Sequence, residues 1–428
     1  GEVDEVWWDG AKGDNTPQNY DFGAWAAIVH QLQPHAVIFQ GDYDSADIRW
    51  VGNEDGHASE ACWSAVNRSE DMDHVPSAPD GTKWMPAETD VSIRPGWFYH
   101  QSEDALVKSV SQLMSIYKDS VGRNSQLLLN IPPNRDGLIS DGDKTRLMEF
   151  RRALNDTFGN NLAHDAKVSA SNTRGTGFEA KKALGGDSGG YWAATDGVTN
   201  ATLTINLGTK KHFNLIELQE PIQLGLRVTG YNLEIWDGNV WTSVASEKCI
   251  GHEAVVSFPP VDASKIRLNI TSARACPAIS SIKIYNDPSI SIGDVAFGKP
   301  AQSDSEQDGH PAGCGNDGND GTRWCAENGD GGHWWQVDLG RNCVLTDSQV
   351  VWEMSRAGTV YNYKIEVSPD ATAWTVVADK QNNTSINQTQ SDKFSAVGRY
   401  VRVTVLGVSN GQWASFYEFI VHGFPASS

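Results

Sequence analysis

Two hydrophobic patterns alternate over the first 165 residues. Short apolar runs at 3–8, 36–40 and 126–131 read as strands, the last stopped by Pro132-Pro133. Between them, apolar positions recur at helical spacing over 24–32, from Asp104 through Leu106, Val110, Leu113, Met114 and Tyr117, and over 143–158. Strands that alternate with helices pack as a parallel sheet, and here the order suggests a barrel. The region holds too few β/α units for a closed barrel of eight strands, so residues 1–165 read as the C-terminal half of a (β/α)8-type barrel.

Past residue 165 the helical period disappears. Alternating runs such as 202–207 and 265–270 are separated by turn residues, the signature of a β-sandwich. A linker near 287–291 divides this part into two modules, 166–287 and 290–428. They read as a divergent repeat. Ile205-Asn206-Leu207-Gly208 has its counterpart in Val337-Asp338-Leu339-Gly340, Trp241-Thr242-Ser243-Val244 in Trp374-Thr375-Val376-Val377, and Ile266-Arg267-Leu268 in Val401-Arg402-Val403. The chain is therefore expected to be multidomain: half a barrel followed by two jelly-roll or discoidin-like sandwiches.

Composition narrows the class of partner. The net charge of −20 repels phosphate backbones, which argues against nucleic acid. No apolar run approaches the ~20 residues that span a bilayer, so no membrane partner is expected. Seven N-x-S/T sequons, at Asn67, Asn155, Asn200, Asn269, Asn382, Asn383 and Asn387, suit a secreted glycoprotein, and the opening residues suit a mature or cut N-terminus. The six cysteines lack paired C-x-x-C spacing, which favours disulfides over zinc. The expected pairs are Cys249–Cys276 and Cys314–Cys325, with Cys62 and Cys343 unassigned.

Two carboxylates stand out. Asp9 follows Trp7-Trp8 at the end of a predicted barrel strand, where barrel enzymes keep their chemistry. An N-cap role would use the same residue type. Glu54 lies in the Gly- and Trp-bearing loop Trp50-Val51-Gly52-Asn53-Glu54 after a later strand. Glycoside hydrolysis needs such a pair, one carboxylate to attack the anomeric carbon and one acid to protonate the leaving oxygen. In a chain with 54 acidic residues, ordinary acidic loops are the competing reading.

Trp7-Trp8-Asp9-Gly10-Ala11, Trp50-Val51-Gly52-Asn53-Glu54, the run from Trp84 through Ile93-Arg94-Pro95-Gly96-Trp97-Phe98-Tyr99-His100, Ser120-Val121-Gly122-Arg123-Asn124-Ser125 and Leu127-Leu128-Leu129-Asn130-Ile131-Pro132-Pro133 together resemble family-29 glycoside hydrolases, the α-L-fucosidases. They are most similar to the branch acting on α-1,3/1,4-linked fucose of Lewis-type glycans. The resemblance implies a retaining exo-fucosidase with Asp9 as nucleophile and Glu54 as acid/base, no cofactor for catalysis, and fucosylated oligosaccharides as substrates. Trp8, Trp50, Trp97 and His100 become candidates for the sugar pocket, with a core role open for the last two. Arg94 suits a partner for Glu88 or Asp90, and Asp119, Arg123 and Asp136 suit structural roles. The family's fucose pocket also uses residues of earlier strands, so an N-terminal fragment or chain is expected to complete the barrel.

Asn316-Asp317-Gly318-Asn319-Asp320-Gly321-Thr322-Arg323-Trp324, Trp334-Trp335-Gln336-Val337-Asp338-Leu339-Gly340 and Glu418 resemble discoidin-like modules, including family-32 carbohydrate-binding modules. That resemblance implies a structural Ca²⁺ held by Asp317, Asp320, Thr322 and Glu418, a cation that favours oxygen ligands. An Asx/Gly turn is the plainer alternative. The corresponding loop around Asp187 is glycine-rich and is expected to hold no metal. Trp413 and Arg356, with Trp352 nearby, are candidates for accessory sugar binding. A non-catalytic, lectin-like secreted protein is the alternative to the enzyme.

Overall fold

The computed structural model describes residues 1–9, 19–185, 190–288, 293–319 and 321–426. Asp320 of the expected calcium set and the loop 186–189 lie outside the described residues. The chain forms two compact units, Gly1–Ser257 with Val261–Pro288, and Ser289–Ser428 with Phe258–Pro260.

The first unit begins with a parallel sheet. Strand β1 (Glu5–Trp7) pairs with β2 (Val37–Phe39), and a single bridge from Phe39 to Ile48 leads to β3 (Arg49–Trp50). Beyond a short hairpin of β4 (Ala65–Val66) and β5 (Lys83–Trp84), strand β6 (Ala87–Ser92) runs parallel to β3 and to β7 (Ser125–Asn130). Helices α1 (Phe22–Leu32), α2 (Val110–Ser120) and α3 (Asp141–Phe158) alternate with the strands. Their starts are encoded locally. The Asp21 carboxylate accepts the Ala24 N–H, Ser109 and Gln112 form a reciprocal capping box, and Ser140 accepts the Asp143 N–H. The helical reading from Asp104 starts too early: Gln101–Leu106 is a 3-10 turn, and α2 begins only after Ser109.

Alternation along β6 and β7 decides what this sheet can do. Val91 and Ile93 point to one side, where Leu113 and Ile116 of α2 pack with Leu127, Leu129 and Ile131. Such side chains contribute roughly 1.5–3 kcal/mol each when fully buried. Period two therefore sends Glu88, Asp90, Leu128 and Asn130 to the opposite face. At the end of β6, buried Arg94 bonds Asp143 at 2.9 Å and Asp104 at 2.9 Å. Its partners are thus Asp143 of α3 and Asp104 of the 3-10 turn and not Glu88 or Asp90, because the chain leaves β6 after Ser92 and carries Arg94 past the strand end toward these two elements.

The rest of the first unit is antiparallel. Strands β8 (Lys167–Ala170), β10 (Ala201–Gln219), β11 (Val228–Trp236), β12 (Trp241–Glu247), β13 (Ala254–Ala273) and β15 (Ser281–Tyr285) form one sheet system, while β9 (Trp192–Ala193) pairs with β14 (Ala278–Ile279). Strands β10 and β13 pass through register shifts between Asn206/Lys211 and Phe213/Leu215. Each long strand thereby pairs in successive segments, the work of a bulge. Among the described residues this region joins the parallel sheet through an Arg123–Ala254 bridge and the Lys118–Asp287 ion pair.

The second unit is also antiparallel. Its strands are β16 (Gly293–Asp294), β17 (Ala301–Ser303), β18 (Trp324–Cys325), β19 (His333–Trp352), β20 (Tyr361–Ser368), β21 (Thr375–Lys380), β22 (Thr389–Val408) and β23 (Ser415–Pro425), with β19 central between β22 and β23. Trp324, Trp335, Trp352, Tyr363 and Phe416 form its core with no exposed surface. Trp352 stacks on Tyr361 with ring centroids 4.2 Å apart, which removes it from any sugar-binding face.

All six cysteines are free thiols. Cys249 directs its sulfur at the Cys62 carbonyl (3.5 Å), while Cys276 lies against Arg227 Nη1 (3.1 Å). The expected Cys249–Cys276 and Cys314–Cys325 pairs are absent, because spacing along the chain does not determine where loops bring the sulfurs.

Candidate active site

The C-terminal ends of the parallel strands surround a cavity of about 620 Å³. Trp7 and Asp9 enter from β1, Phe39 and Gln40 from β2, Trp50 and Glu54 from β3 and its following loop, and Asp90, Leu128 and Asn130 from β6 and β7. Asp73, Trp97 and Phe98 close the wall. Open parallel sheets place ligands at this end of the strands.

Asp9 and Glu54, far apart in sequence, line this one cavity, and Trp50 and Trp97 line it with them. Trp8 does not. It packs on Phe22 and Trp25, with ring centroids at 5.3 and 6.3 Å, while the adjacent Trp7 occupies the wall and stacks on Phe39 at 4.5 Å. One step along a strand reverses the face, which is why a Trp-Trp pair sends only one ring to the cavity. His100 is exposed and absent from the wall, and its carbonyl accepts from Arg94 Nη1 at 3.4 Å.

Three wall or floor indoles each donate to a carboxylate. Trp97 Nε1 donates to Glu54 Oε2 at 3.0 Å, Trp50 Nε1 to Asp90 Oδ1 at 2.5 Å, and Trp7 Nε1 to Glu88 Oε1 at 2.8 Å. The loop bearing Glu54 is itself fixed. Gly56 has φ +85° and sits so close to Ile116 that a Cβ would lie 3.0 Å from it, and Asn53 Nδ2 donates to the His57 carbonyl at 2.9 Å. Asp119, fully buried, pairs with Arg123 (2.9 Å) and His57 (3.1 Å), and its carbonyl accepts the Ala58 N–H. Asp119 and Arg123 thus brace the loop from behind.

Glu88 has no exposed surface. Burial pushes its carboxyl up to about 7, against the hydrogen bond from Trp7 and with the nearby charges of Glu5 and Asp90. Burial also raises Asp90, opposed by the Trp50 N–H and reinforced by the charges of Glu54 and Asp9. None of Asp90, Gln40 and Asn130 is marked as a site residue by the sequence: Asp90 enters there only as a partner for Arg94, and Asn130 only within a family motif. Gln40 holds a left-handed backbone (φ 56°) while 7% exposed, a strained conformation of the kind that collects at functional sites, but no sequence signal marks it.

In the second unit, Thr322 Oγ1 donates to Asp317 Oδ2 (2.8 Å), and the Asn319 N–H is within 2.9 Å of both Asp317 Oδ1 and Glu418 Oε1. Burial pushes Glu418 up to about 7, with the nearby Asp317 carboxyl adding to the rise. Asp317, Thr322 and Glu418 therefore converge, while Asp320 is outside the described residues. Trp413 is 40% exposed, and Arg356 Nη1 donates to the Asn410 carbonyl beside it.

A parallel sheet with paired acids at its C-terminal ends, followed by antiparallel modules, defines the architecture of a multimodular carbohydrate-active protein. Residues 2–156 match the family described as alpha-L-fucosidase, and residues 167–282 and 300–419 match the F5/8 type C domain. The chain belongs to the alpha-L-fucosidase family of glycoside hydrolases through its first domain and carries F5/8 type C domains after it. Alpha-L-fucosidase 1 of Arabidopsis thaliana is 40% identical over 301 residues, 67% of this chain and 59% of that protein. A Ruminococcus gnavus family-29 fucosidase, solved in complex with fucose, is 30% identical at a TM-score of 0.61, covering 66% of this chain and 60% of its own. A glycoside hydrolase 29 family member from an unknown rumen bacterium is 27% identical at a TM-score of 0.58 over 98% of this chain and 72% of that one. The chain spans less than three-fifths of the curated plant relatives it matches.

Proposed function

We propose that this protein is a retaining exo-α-L-fucosidase that releases terminal α-1,3/1,4-linked L-fucose from Lewis-type glycans. The observation that carries the reading is the meeting of Asp9 and Glu54 in one cavity, with an indole N–H on Glu54. Asp9 attacks the anomeric carbon as Glu54 protonates the departing glycosidic oxygen, which leaves a fucosyl ester on Asp9. Glu54 then takes a proton from water, and the resulting hydroxide equivalent displaces Asp9 and releases fucose. Trp97 occupies Oε2 of Glu54, so Oε1 is the oxygen left to handle the proton. Trp50 and Trp97 offer ring surface to the sugar.

The test is turnover of an aryl α-L-fucoside by wild type and Asp9→Ala. The variant should lose on the order of 10³-fold or more in kcat while keeping its unfolding temperature, and azide should trap a fucosyl azide of inverted configuration. Near-normal turnover by Asp9→Ala would sink the assignment. In a ligand-bound structure the two carboxyl groups should stand ~5–5.5 Å apart, the retaining distance.

The reading includes three modules, at 1–165, 166–287 and 290–428: the C-terminal half of a (β/α)8-type barrel and two β-sandwiches. It also includes a partner polypeptide that covers the parallel sheet. Trp25, Ile28 and Leu32 form an exposed stripe on α1, 42%, 54% and 69% exposed, and Val3 is exposed beside β1. Further β/α units, on an N-terminal fragment or chain, bury such surfaces in a closed barrel. In the last module, Asp317, Thr322 and Glu418 suit a Ca²⁺, which would supply only structural cross-linking of the loop, and Trp413 with Arg356 suit an accessory sugar contact. Secretion is supported by the sequons. The lectin-like alternative is less favoured, because both carboxylates of the fucosidase motifs stand in the cavity.

A further inference from the structure

Strand β3 is only two residues long: the Arg49 N–H donates to the Pro86 carbonyl and the Val51 N–H to the Glu88 carbonyl, and the chain then departs for the Glu54 loop. These bonds hold the backbone of Trp50 but leave open the plane of its ring, which forms part of the cavity wall. An indole has one polar atom, so its plane is settled by whatever accepts its N–H. Here the acceptor is Asp90 Oδ1 at 2.5 Å, on β6, the strand next to β3 in the sheet. Asp90 is 2% exposed and lines the cavity together with Asp9 and Glu54. A carboxylate placed there is electrostatically unfavourable beside two others, and leucine or asparagine would fill the space without that repulsion. What the carboxylate does supply is a strong acceptor in a fixed position on a six-residue strand paired on both sides.

We propose that Asp90 is a positioning residue that fixes the indole of Trp50 as a wall of the sugar cavity, acting through its hydrogen bond and not through contact with the reacting atoms. The role assigned to the site rests on the fucosidase reading, but the hydrogen bond can be tested without it. Asparagine presents an oxygen at the same place and can hold the ring; alanine cannot. Phenylalanine at position 50 keeps a ring but lacks the N–H, so Trp50→Phe should mimic Asp90→Ala.

Two measurements test this on the active enzyme as isolated. With an aryl α-L-fucoside, Asp90→Ala and Trp50→Phe should each raise KM about five- to tenfold with a smaller change in kcat. Asp90→Asn should keep KM within about twofold of wild type, and the Trp50→Phe/Asp90→Ala double variant should be no worse than either single one. In ¹H–¹⁵N spectra of tryptophan-labelled protein, the indole signal that disappears in Trp50→Phe should move upfield in Asp90→Ala and stay near its wild-type position in Asp90→Asn. The unchanged indole signals of the remaining tryptophans report that each variant is folded. If Asp90→Asn is as impaired as Asp90→Ala, or the double variant shows the product of the single effects, or the Trp50 signal ignores Asp90→Ala, the proposal is overturned. Full activity in Asp9→Ala would instead remove the fucosidase reading and leave the spectral test standing.

Discussion

Tryptophan is used in two ways in this molecule. In the parallel sheet region Trp7, Trp50 and Trp97 send their N–H groups to Glu88, Asp90 and Glu54. In the antiparallel regions Trp192, Trp324, Trp335 and Trp374 donate instead to the backbone carbonyls of Asn172, Ser305, Ala312 and Ala371. A backbone carbonyl is the usual partner of a buried indole, although the fully buried Trp352 N–H has none among the described residues. A carboxylate costs more to desolvate than a carbonyl and brings a charge with it. The first arrangement therefore belongs to a cavity with chemistry, and the second to structural packing, in the core for Trp192, Trp324 and Trp335 and at a half-buried site for Trp374. The ring alone does not distinguish them; its acceptor does.

The comparison breaks most visibly in the core of the second unit. Trp352→Ala should cost that unit about 3–5 kcal/mol by denaturant unfolding, because it removes a fully buried ring stacked on Tyr361. Under the proposed function, turnover of an aryl α-L-fucoside by the folded protein should be unchanged. An equal loss of activity and stability would mean that core and cavity tryptophans are not separate classes.

Trp97→Phe should lower kcat about 10- to 100-fold. It removes a hydrogen bond to the Glu54 carboxylate, the kind worth ~1.5–3 kcal/mol, while keeping a ring. A KM effect alone would place Trp97 as a sugar platform only.

A smaller effect separates charge from packing under Trp7. Glu88 is held up to about 7 by burial, with Glu5 and Asp90 adding to the rise and the donors Trp7 and Gln126 facing it. A carboxyl whose folded value exceeds its unfolded 4.5 binds its proton more tightly when folded. Its stabilising effect is therefore complete below pH 4.5 and declines as pH rises toward 7. Glu88→Gln should match wild-type stability near pH 4.5 and exceed it by roughly 1–3 kcal/mol at pH 8. Parallel stability curves across that range would show that Glu88 ionises freely in the fold.

The smallest expected change is at the repeated Trp–Arg contact of the antiparallel modules. Arg267 lies over Trp241 at 4.3 Å, and Arg402 over Trp374 at 3.9 Å. Trp374→Ala should cost only ~0.5–1 kcal/mol beyond the area it uncovers, as a partly exposed cation–π pair does. This contact was legible as a sequence repeat before its physical meaning was known.

The sequence by itself determined the local elements and the family motifs. Capping residues start α1, α2 and α3, and period two separates Val91 and Ile93 from Glu88 and Asp90, because such signals act over a few residues. It also singled out Asp9, Glu54, Trp50 and Trp97, whose neighbours in sequence are distinctive. Only the tertiary structure decided which of Trp7 and Trp8 faces the cavity, that Arg94 belongs to Asp143 and Asp104, that Cys249 meets Cys62 and not Cys276, and that Asp90 stands under Trp50. Apart from the Arg94–Asp104 pair, ten residues apart, each of those outcomes depends on strand phase or on segments brought together across 40 or more residues, as with the separation between Trp50 and Asp90. No local preference encodes such a meeting, because the free energy that selects it comes from packing the whole sheet against its helices.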